Sequence, residues 1–301
     1  MPSTIVRSMA HSTACSIIGC GYIGKRLAQQ LLEKDLLVHG YVNSEDSRAE
    51  CDKLGIPCDV IDLDNADLDV TLPELELDGQ NILYLAPPPR CGQVDTRMTN
   101  FLRAIDSQLP ERFVLISTTG VYGDCKGDWI EESTPLNPTA DRAKRRADAE
   151  QQVTAFCHEK NIPLIILRVA GIYGPGKIPL ARIKSGAPIV NQQDSPFTNR
   201  IHAVDLVNIC ERALLNTKIT GTYNITDGHP GTMYEYFTGV AKALDLPAPP
   251  AISMAEAQHQ LSEGMLSYMA ESRRIDNSKL LKDFDLELKY PKLQDGLKKI
   301  T

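Results

Sequence analysis

Residues 14–24 read ACSIIGCGYIG and join a short apolar run to a glycine-rich turn. The run Ala14–Ile18 predicts a β-strand, and the apolar residues spaced four apart in Ile23–Leu32 predict a helix. The hexapeptide between them, GCGYIG, fits the G-x-G-x-x-G pattern of βαβ units that bind dinucleotides. In such a turn Gly19 permits the tight bend, Gly21 lets the backbone approach a pyrophosphate, and Gly24 allows close helix packing. The helix N-terminus supplies free N–H groups for the phosphates. We therefore predict a dinucleotide site formed by Gly19, Gly21, Tyr22, Ile23 and Gly24.

Strand-like and helix-like segments alternate along the rest of residues 14–173. The apolar stretches that predict further strands are Leu36–Val42, Val60–Leu63, Asn81–Ala86, Arg112–Ser117 and Pro163–Val169. Because these runs are nearly continuous, they indicate a parallel sheet covered by helices on both faces. We predict an α/β fold with a doubly wound parallel sheet, the Rossmann fold, over residues 14–173. Residues 174–301 are predicted to form a smaller C-terminal substrate-binding lobe, part of which returns to the sheet.

The composition indicates an ordinary soluble protein. The chain has 301 residues, 42% of them hydrophobic and 24% charged, with a formal net charge of −7. An acidic chain argues against nucleic acid as a partner, and no apolar run is long enough to predict a membrane span. Residues 1–13 lack the apolar stretch of a secretory signal, and we interpret them as a disordered extension or a start placed too early. We expect a cytoplasmic protein with a small-molecule substrate.

The eight cysteines lie singly, at positions 15, 20, 51, 58, 91, 125, 157 and 210. No C-x-x-C pair occurs, and no histidine stands at a zinc-ligand spacing. We expect reduced thiols and no metal site.

The end of the second predicted strand bears on the choice between NAD and NADP. An NAD-specific fold usually has Asp or Glu there to bind the ribose 2′-hydroxyl, but this strand ends in Asn43 and Ser44. Arg48 follows shortly and could pair with a 2′-phosphate, since a guanidinium matches phosphate geometry. The alternative is that Arg48 is a solvated loop residue beside Glu45 and Asp46. We favour NADP, with NAD as the alternative.

Several further motifs resemble one known family. With NILYLAPP, ISTTGVYGD, LRVAGIYGPG, RIHAVDLVNIC and GTYNITDG, the chain resembles the extended short-chain dehydrogenase/reductases, the NAD-dependent epimerase/dehydratase group. The resemblance implies that Asp62 and Leu63 flank the adenine and that Ala86 and Pro87 line the ribose side of the nicotinamide. It also places the catalytic Ser/Thr of the family at Thr118. A hydroxyl at the carboxyl end of a parallel strand can hydrogen-bond a carbonyl or hydroxyl that exchanges hydride, although it could also simply form a Ser/Thr turn.

The resemblance breaks at the catalytic Tyr-x-x-x-Lys. The segment LNPTADRAKRRADAE places Arg142 at the tyrosine position and Arg146 at the lysine position, four residues apart on one helical face. A guanidinium stays protonated and cannot shuttle a proton as a phenolate does, although Arg146 could still hold ribose hydroxyls or a phosphate. The pattern resembles the atypical branch of the family, and Asp95, near the place of the upstream Asn, fits that branch. Both arginines could instead belong to a solvated charged face; we interpret them as an anion site above the nicotinamide.

Other side chains could act in the substrate site. Tyr122 and Tyr173 lie in loops at the carboxyl edge of the sheet and could donate a proton, although such tyrosines more often only form the wall of a pocket. Asn199 and Arg200 could contact an anionic substrate. His202 matches a structural motif of the family near the substrate lobe, and a structural histidine is the simpler interpretation.

Two functions are consistent with these residues. The first is an NAD(P)-dependent oxidoreductase or epimerase that acts on a polar metabolite, sugar-like or anionic. The second is a non-catalytic NADP(H)-binding sensor or scaffold in which Arg142 binds an anion. A lyase or isomerase that uses the cofactor only electrostatically is a third, less favoured alternative, because no carboxylate pair or metal cluster marks a site. The family resemblance also suggests a homodimer through surface helices, including the one around residues 142–157.

Overall fold

The computed structural model describes residues 13–65 and 75–298. Its strands are β1 Ala14–Ile18, β2 Leu37–Val42, β3 Cys58–Val60, β4 Asn81–Tyr84, β5 Arg112–Thr118, β6 Trp129–Ile130, β7 Leu164–Val169, β8 Gly171–Tyr173, β9 Ile189–Val190, β10 Phe197–Thr198, β11 Arg200–His202, β12 Gly221–Ile225, β13 Gly231–Thr232, β14 Ala251–Ile252 and β15 Arg274–Ile275. Its α-helices are α1 Tyr22–Leu32, α2 Glu45–Asp52, α3 Thr96–Ala104, α4 Asp141–Lys160, α5 Leu180–Lys184, α6 Ala203–Leu215, α7 Met233–Ala243, α8 Met254–Gln260, α9 Glu263–Met269, α10 Ser278–Phe284 and α11 Leu293–Leu297. The extension predicted for residues 1–13 lies, apart from Thr13, outside the described residues.

The central sheet has seven strands in the order β3-β2-β1-β4-β5-β7-β12, and every pair is parallel. The strand order reverses between β1 and β4. Ligands of open α/β sheets bind at this reversal, outside the carboxyl ends of the strands. The prediction of a doubly wound Rossmann sheet is confirmed.

Helices cover both faces of the sheet, as the continuous apolar strands require. On one face Leu27 of α1 and Leu206 of α6 pack with apolar strand residues such as Val114. On the other face Phe101 of α3 and Val153 of α4 pack in a second cluster. The exposed carboxyl edge between these two layers is therefore held rigidly by the core on both sides.

The prediction for the third strand needs adjustment. The third strand is Cys58–Val60 rather than Val60–Leu63, because its register pairs Val60 with Val42, the last residue of β2. With no strand beside them beyond that point, Asp62 and Leu63 are left in the loop that follows the strand. The seventh strand, Gly221–Ile225, comes from the C-terminal part of the chain and pairs with β7.

The rest of the C-terminal part forms a smaller body beyond the carboxyl edge of the sheet. Two-stranded sheets, β9 with β14 and β10 with β13, lie there with helix α7. Its own apolar cluster includes Tyr173, Phe237, Val240 and Leu297. No helix within residues 13–65 and 75–298 combines the length and apolarity needed to cross a membrane.

Candidate active site

The glycine turn has the geometry that its sequence pattern predicts. Gly19 has φ +86°, and a Cβ there would lie 2.5 Å from the backbone nitrogen of Ala86, so a side chain would separate two loops of the sheet edge. A Cβ on Gly24 would lie 3.1 Å from Ile17 in the strand below. A Cβ on Gly21 would meet only the oxygen of Gly19, at 3.9 Å, so that side of the turn is open. Helix α1 has no side-chain cap at its N-terminus, which leaves its first amides available to an anion.

A cavity of about 200 Å³, the first cavity, opens beside this turn. The predicted residues that line it are Gly19, Gly21, Asn43, Asp62, Leu63, Ala86 and Pro87. It is therefore built from the loops that follow β1, β2, β3 and β4, on both sides of the strand-order reversal. Tyr22 and Ile23 take other positions: the Tyr22 hydroxyl donates to the oxygen of Pro175 at 2.8 Å, and the Ile23 side chain is buried.

The structure does not bring all predicted residues from the end of β2 into the first cavity. Ser44 caps helix α2 by accepting from the amide of Ser47 at 3.3 Å. Arg48 is partly exposed, pairs with Glu45 at 3.2 Å and is not among the residues lining the cavity. In this conformation the expectation that Arg48 meets a 2′-phosphate is not met, because its guanidinium faces the carboxylate one helical turn before it.

Sequence reasoning missed two cations of the first cavity. Lys25 lines it from helix α1 and pairs with Glu50. Arg97 lines it from helix α3, donates to both oxygens of Asp64 and also bonds the oxygen of Pro87 at 3.0 Å. The position of Lys25 in helix α1, directly after the last glycine of the pattern, was the one signal available in the sequence.

A larger cavity of about 510 Å³, the second cavity, lies next to the first at the carboxyl ends of β5 and β7. It brings together the predicted residues Thr118, Arg142, Arg146, Asn199 and Arg200, which come from distant parts of the chain. Thr118 ends β5, and its Oγ1 accepts from the amide of Gly120 at 3.2 Å. Thr118 thus forms the Ser/Thr turn and lines the cavity at the same time.

The two arginines that replace Tyr and Lys have different environments. The Nη1 of Arg142 donates to Ser267 Oγ at 2.9 Å, and its guanidinium lies 4.2 Å from the ring centroid of Tyr268, so it binds helix α9. The Nη2 of Arg146 donates to the oxygen of Ala86 at 3.0 Å, while its buried Nη1 has no hydrogen-bond partner among the described residues. Burial lowers the pKa of Arg146, and nearby Asp95 partly opposes this.

Tyr122 is not in the second cavity, and the expectation that it could donate a proton there is wrong in position. Its hydroxyl donates to Asn224 Oδ1 at 2.7 Å and accepts from Arg168 Nη1 at 2.9 Å. The Nη2 of Arg168 in turn pairs with Glu150 at 2.7 Å, and Ser117 Oγ donates to Glu150 at 2.5 Å. We call these five residues the buried network; all are less than 10% exposed. Burial raises the pKa of Tyr122. A raised pKa makes this hydroxyl a poor proton donor at neutral pH.

Tyr173 and His202 are also removed from the second cavity. Both are buried, and their rings lie 5.1 Å apart; His202 packs in addition on Tyr290, at 4.0 Å between centroids. The Nδ1 of His202 accepts from the amide of Val204 and caps helix α6. Burial, with a smaller contribution from Lys289, lowers the pKa of His202 to about 4. The structural interpretation of His202 thus fits its position, and the substrate roles expected for it and for Tyr173 do not.

Asn199 lines the second cavity, but both ends of its amide are used by the backbone. Its Nδ2 donates to the oxygen of Arg273 at 3.0 Å, and its Oδ1 accepts from the amide of Ile275 at 3.1 Å. Asn199 therefore fixes the segment around β15 to β11 rather than offering free hydrogen bonds to a substrate.

The second cavity has an excess of positive charge in an acidic chain. Its cationic lining residues are Arg142, Arg146, Lys177, Arg200 and Arg273, and its one lining carboxylate among the described residues is Glu271. Glu271 pairs with Arg273 at 2.8 Å, which leaves four cations without a carboxylate in the cavity wall. Lys177, Tyr268, Glu271 and Arg273 were not anticipated, because no motif in the sequence marks them. Among the described residues, no cluster of His, Cys, Asp or Glu is arranged to hold a metal ion.

The fold and the first cavity define a dinucleotide-type Rossmann protein with a second, cationic cavity at the sheet edge. Comparison with known proteins gives the family. Residues 16–226 match the model of the NAD dependent epimerase/dehydratase family, and the chain belongs to it.

Relatives and solved structures agree with this assignment. The chain is 26% identical over 290 residues to the protein YeeZ of Escherichia coli K12, covering 92% of this chain and 96% of YeeZ. A conserved protein of unknown function from Silicibacter pomeroyi has the same fold, with a TM-score of 0.81, 27% identity and coverage of 96% of this chain and 98% of that one. A UDP-glucuronic acid 4-epimerase from Bacillus cereus, solved in complex with NAD, superposes with a TM-score of 0.74 at 18% identity, covering 95% and 97% of the two chains.

Proposed function

We propose that the protein is an NAD(P)-dependent oxidoreductase or epimerase that acts on a polar, anionic small molecule in the second cavity. The observation behind this proposal is the way the two cavities meet. Ala86 and Pro87 line the first cavity, and the next residue, Pro88, lines the second. Arg146, which lines the second cavity, bonds the oxygen of Ala86. A dinucleotide that lies along the first cavity would thus present its nicotinamide end beside Thr118.

The residues at the junction have separate parts in this proposal. When bound, the nicotinamide supplies or accepts a hydride. The Thr118 oxygen already accepts from Gly120, so its own hydrogen is free to bond a substrate oxygen that gains or loses charge. The unpartnered Nη1 of Arg146 would donate to a hydroxyl of the cofactor ribose. Arg142 takes no proton, because a guanidinium stays charged at any working pH.

We also propose a preference for NADP over NAD. Asn43 directly follows β2, where an NAD-specific site would have a carboxylate, and Ser47 and Lys25 line the same cavity. The experiment is a comparison of NADPH and NADH affinities by calorimetry. Tighter binding of NADPH supports the preference; equal or tighter binding of NADH removes it and leaves the rest of the proposal intact.

A screen for turnover tests the proposed activity. Hydroxy acids and sugar phosphates are offered with each cofactor. Net oxidation or reduction is followed by the absorbance of the reduced nicotinamide, and epimerisation, which regenerates the cofactor, is followed by chromatography of the products. With a substrate found, Thr118→Ala should lower turnover about a hundredfold, the effect of losing one hydrogen bond to a charged oxygen, while cofactor affinity stays unchanged. No heat of binding with any of the four dinucleotides would overturn the proposal.

The binding of Arg142 to helix α9 favours a second candidate, a cofactor-binding sensor without turnover. Arg142 links the Rossmann sheet to the smaller body, so a bound cofactor could be reported to a partner through that contact. The double variant Arg142→Tyr with Arg146→Lys separates the candidates. Turnover that appears only in the double variant would identify a cofactor-binding protein with an otherwise intact site.

A further inference from the structure

We infer that the ligand of the second cavity has a carboxylate or phosphate group that binds the guanidinium of Arg200, with its reacting carbon beside Thr118. This inference rests on the proposed function for the role of the site, and it specifies the substrate class. It concerns Arg200, which with Arg146 is one of two arginines in the cavity wall that keep a buried nitrogen without a hydrogen-bond partner among the described residues.

Among the described residues no carboxylate forms an ion pair with the guanidinium of Arg200, although Asp227 lies near enough to interact with its charge. Strand β11 pairs with β8 so that Arg200 lies opposite Gly171, whose missing side chain leaves room for the Nη1 atom. The guanidinium stacks 4.1 Å from the ring centroid of Tyr236. Nη1 contacts the oxygen of Asn199 at 3.4 Å, and Nη2 contacts the sulfur of Met233 at 3.3 Å. These contacts fix the plane of the guanidinium but do not neutralise its charge.

One donor of Arg200 is unused. Its Nε atom is buried and has no hydrogen-bond partner among the described residues. A buried charge without a partner destabilises a fold, so a residue whose only role was packing against Tyr236 would be better uncharged. Arg112 and Arg145 are also buried and bond only backbone oxygens, but neither lines the second cavity. Arg200 combines an unused donor with open space, which is the arrangement expected where an anionic ligand completes the site.

The positions of the strands orient the ligand. The sheet runs in the order β4, β5, β7, and β8 follows β7 with β11 beside it. Ala86 follows β4, Thr118 ends β5, and Arg200 lies on β11, so Thr118 stands between the nicotinamide end and Arg200. A carboxylate or phosphate accepts two parallel hydrogen bonds from a guanidinium, which fixes its direction as well as its distance. An anion on Arg200 would place the neighbouring carbons of the ligand toward Thr118.

The test uses the full chain saturated with NADPH, so that the phosphate-binding turn of the first cavity is occupied. Sodium phosphate and sodium acetate are titrated separately, with thermal unfolding and calorimetry as readouts; the two anions distinguish a phosphate ligand from a carboxylate ligand. Arg200→Met should lower the affinity for the preferred anion about tenfold or more, as expected for lost bonds to a charged group. Without anion, the same variant should unfold at an equal or higher temperature than the natural protein.

Lys177→Gln is the matched control. It removes one positive charge from the same cavity, but Lys177 is exposed and its charge is hydrated. A loss of affinity below about threefold is expected there. Equal losses in both variants would show only a general positive field and would overturn the inference. So would an NADPH complex that neither anion stabilises.

Two further outcomes remain distinguishable. If Arg200→Met does not fold, Arg200→Lys takes its place, because it keeps the charge without the two-pronged geometry. A loss of anion affinity larger than that of Lys177→Gln supports the inference. An unchanged affinity, or a loss no larger than that of Lys177→Gln, would overturn it. Absence of binding by all four dinucleotides contradicts the proposed function itself, whereas dinucleotide binding without an anion effect contradicts only the assignment of Arg200.

Discussion

The buried network around Arg168 and the second cavity around Arg200 use the same side chain in opposite ways. Arg168 donates to both oxygens of Glu150 and to the hydroxyl of Tyr122. Burial alone would lower the pKa of Arg168, but the Glu150 carboxylate outweighs it and the pKa is raised. For Arg200 burial also comes first, and no carboxylate of the described residues forms an ion pair with it. Its pKa is therefore lowered, although Tyr236 and Asp227 oppose the shift. The two regions are adjacent, so the opposite pKa shifts of Arg168 and Arg200 come from the partners that the chain supplies to each guanidinium.

The comparison distinguishes arginines whose charge stabilises the fold from arginines whose charge is available to bind a ligand. The Arg168–Glu150 pair joins strand β7 to helix α4, and its hydrogen bonds are complete within the chain. Arg146 and Arg200 line the second cavity with an unpartnered nitrogen each. Removing the carboxylate partner of Arg168 should therefore lower the stability of the fold. Removing Arg146 or Arg200 should lower only the affinity for a ligand.

Glu150→Gln gives the largest expected effect. The substitution keeps the shape of the side chain but leaves the buried Arg168 charge without a counter-ion, which costs about 3–5 kcal/mol of the free energy of unfolding. Denaturation by urea measures it. Glu159→Gln, an exposed residue of the same helix, should change stability by less than about 0.5 kcal/mol. If the two variants are equally stable, the network is not what stabilises this part of the sheet.

Sequence patterns could predict the sheet and the glycine turn because both depend on local, repeated features. The turn needs glycine at positions 19 and 24 for reasons that the adjacent strand and helix impose. Thr118 could be placed in the site because the ends of parallel strands meet at one edge, and Arg146 because the family resemblance puts it at the position of the catalytic lysine. The predicted homodimer concerns a partner surface and stays a prediction.

The buried network could not be predicted, since Arg168 and Glu150 are eighteen residues apart and pair only after the sheet forms. Tyr122 and Tyr173 show the same limit. Tyr122 lies in the turn after β5 as expected, whereas Tyr173 ends strand β8 instead of lying in a loop. Whether a tyrosine faces a cavity or the core depends on neighbours from elsewhere in the chain, such as Asn224 and Gly296. Lys177 and Arg273 reach the second cavity from segments that no sequence motif marks.

A buried carboxyl group beside Arg200, that of Asp227, should make the stability of the protein depend on pH. The amide of Asp227 donates to the oxygen of Arg200 at 2.7 Å, and burial raises the pKa of Asp227 to about 6, with His229 and Arg200 opposing it. The folded protein thus binds more protons than the unfolded one between about pH 4 and 6, and this group lowers stability as the pH rises. Asp227→Asn should remove that loss, up to about 3 kcal/mol, because each pKa unit corresponds to about 1.4 kcal/mol.

His202 provides the opposite slope and serves as the control. Its pKa is lowered to about 4, so the unfolded protein binds more protons between about pH 4 and 6.5 and stability rises with pH. The contributions of these two groups should therefore nearly cancel in this window in the natural protein. Relative to the natural protein, Asp227→Asn should gain stability with rising pH and His202→Gln should lose it, in urea denaturation at several pH values. Parallel profiles for all three proteins would contradict the assignment of these two groups.

Arg146→Met tests the available charge at the junction of the two cavities. The affinity for NADPH should fall about tenfold, the effect of one lost bond between a charged donor and a hydroxyl. The stability without cofactor should stay the same or rise, because a buried guanidinium with an unpartnered Nη1 is removed. Arg145→Met is the matched control: Arg145 is the preceding residue, bonds the oxygen of Gly92 and is not part of the cavity wall. An equal loss of NADPH affinity in both variants would place the effect in helix α4 rather than in Arg146.

The smallest effect is expected for Arg142→Gln, because Arg142 lines the cavity like Arg200 but has partners within the chain like Arg168. It lines the second cavity, yet its guanidinium is occupied by Ser267 and the ring of Tyr268. A partly exposed cation–π contact of this kind stabilises by about 0.5–1 kcal/mol, so the loss should be confined to helix α9. Hydrogen exchange of the α9 amides should become faster in Arg142→Gln and remain unchanged in Lys144→Gln, which breaks only an exposed pair with Asp141 at 3.4 Å. If Arg142→Gln instead weakens anion binding as strongly as Arg200→Met, Arg142 belongs with the arginines available to the ligand, and the link to helix α9 is secondary.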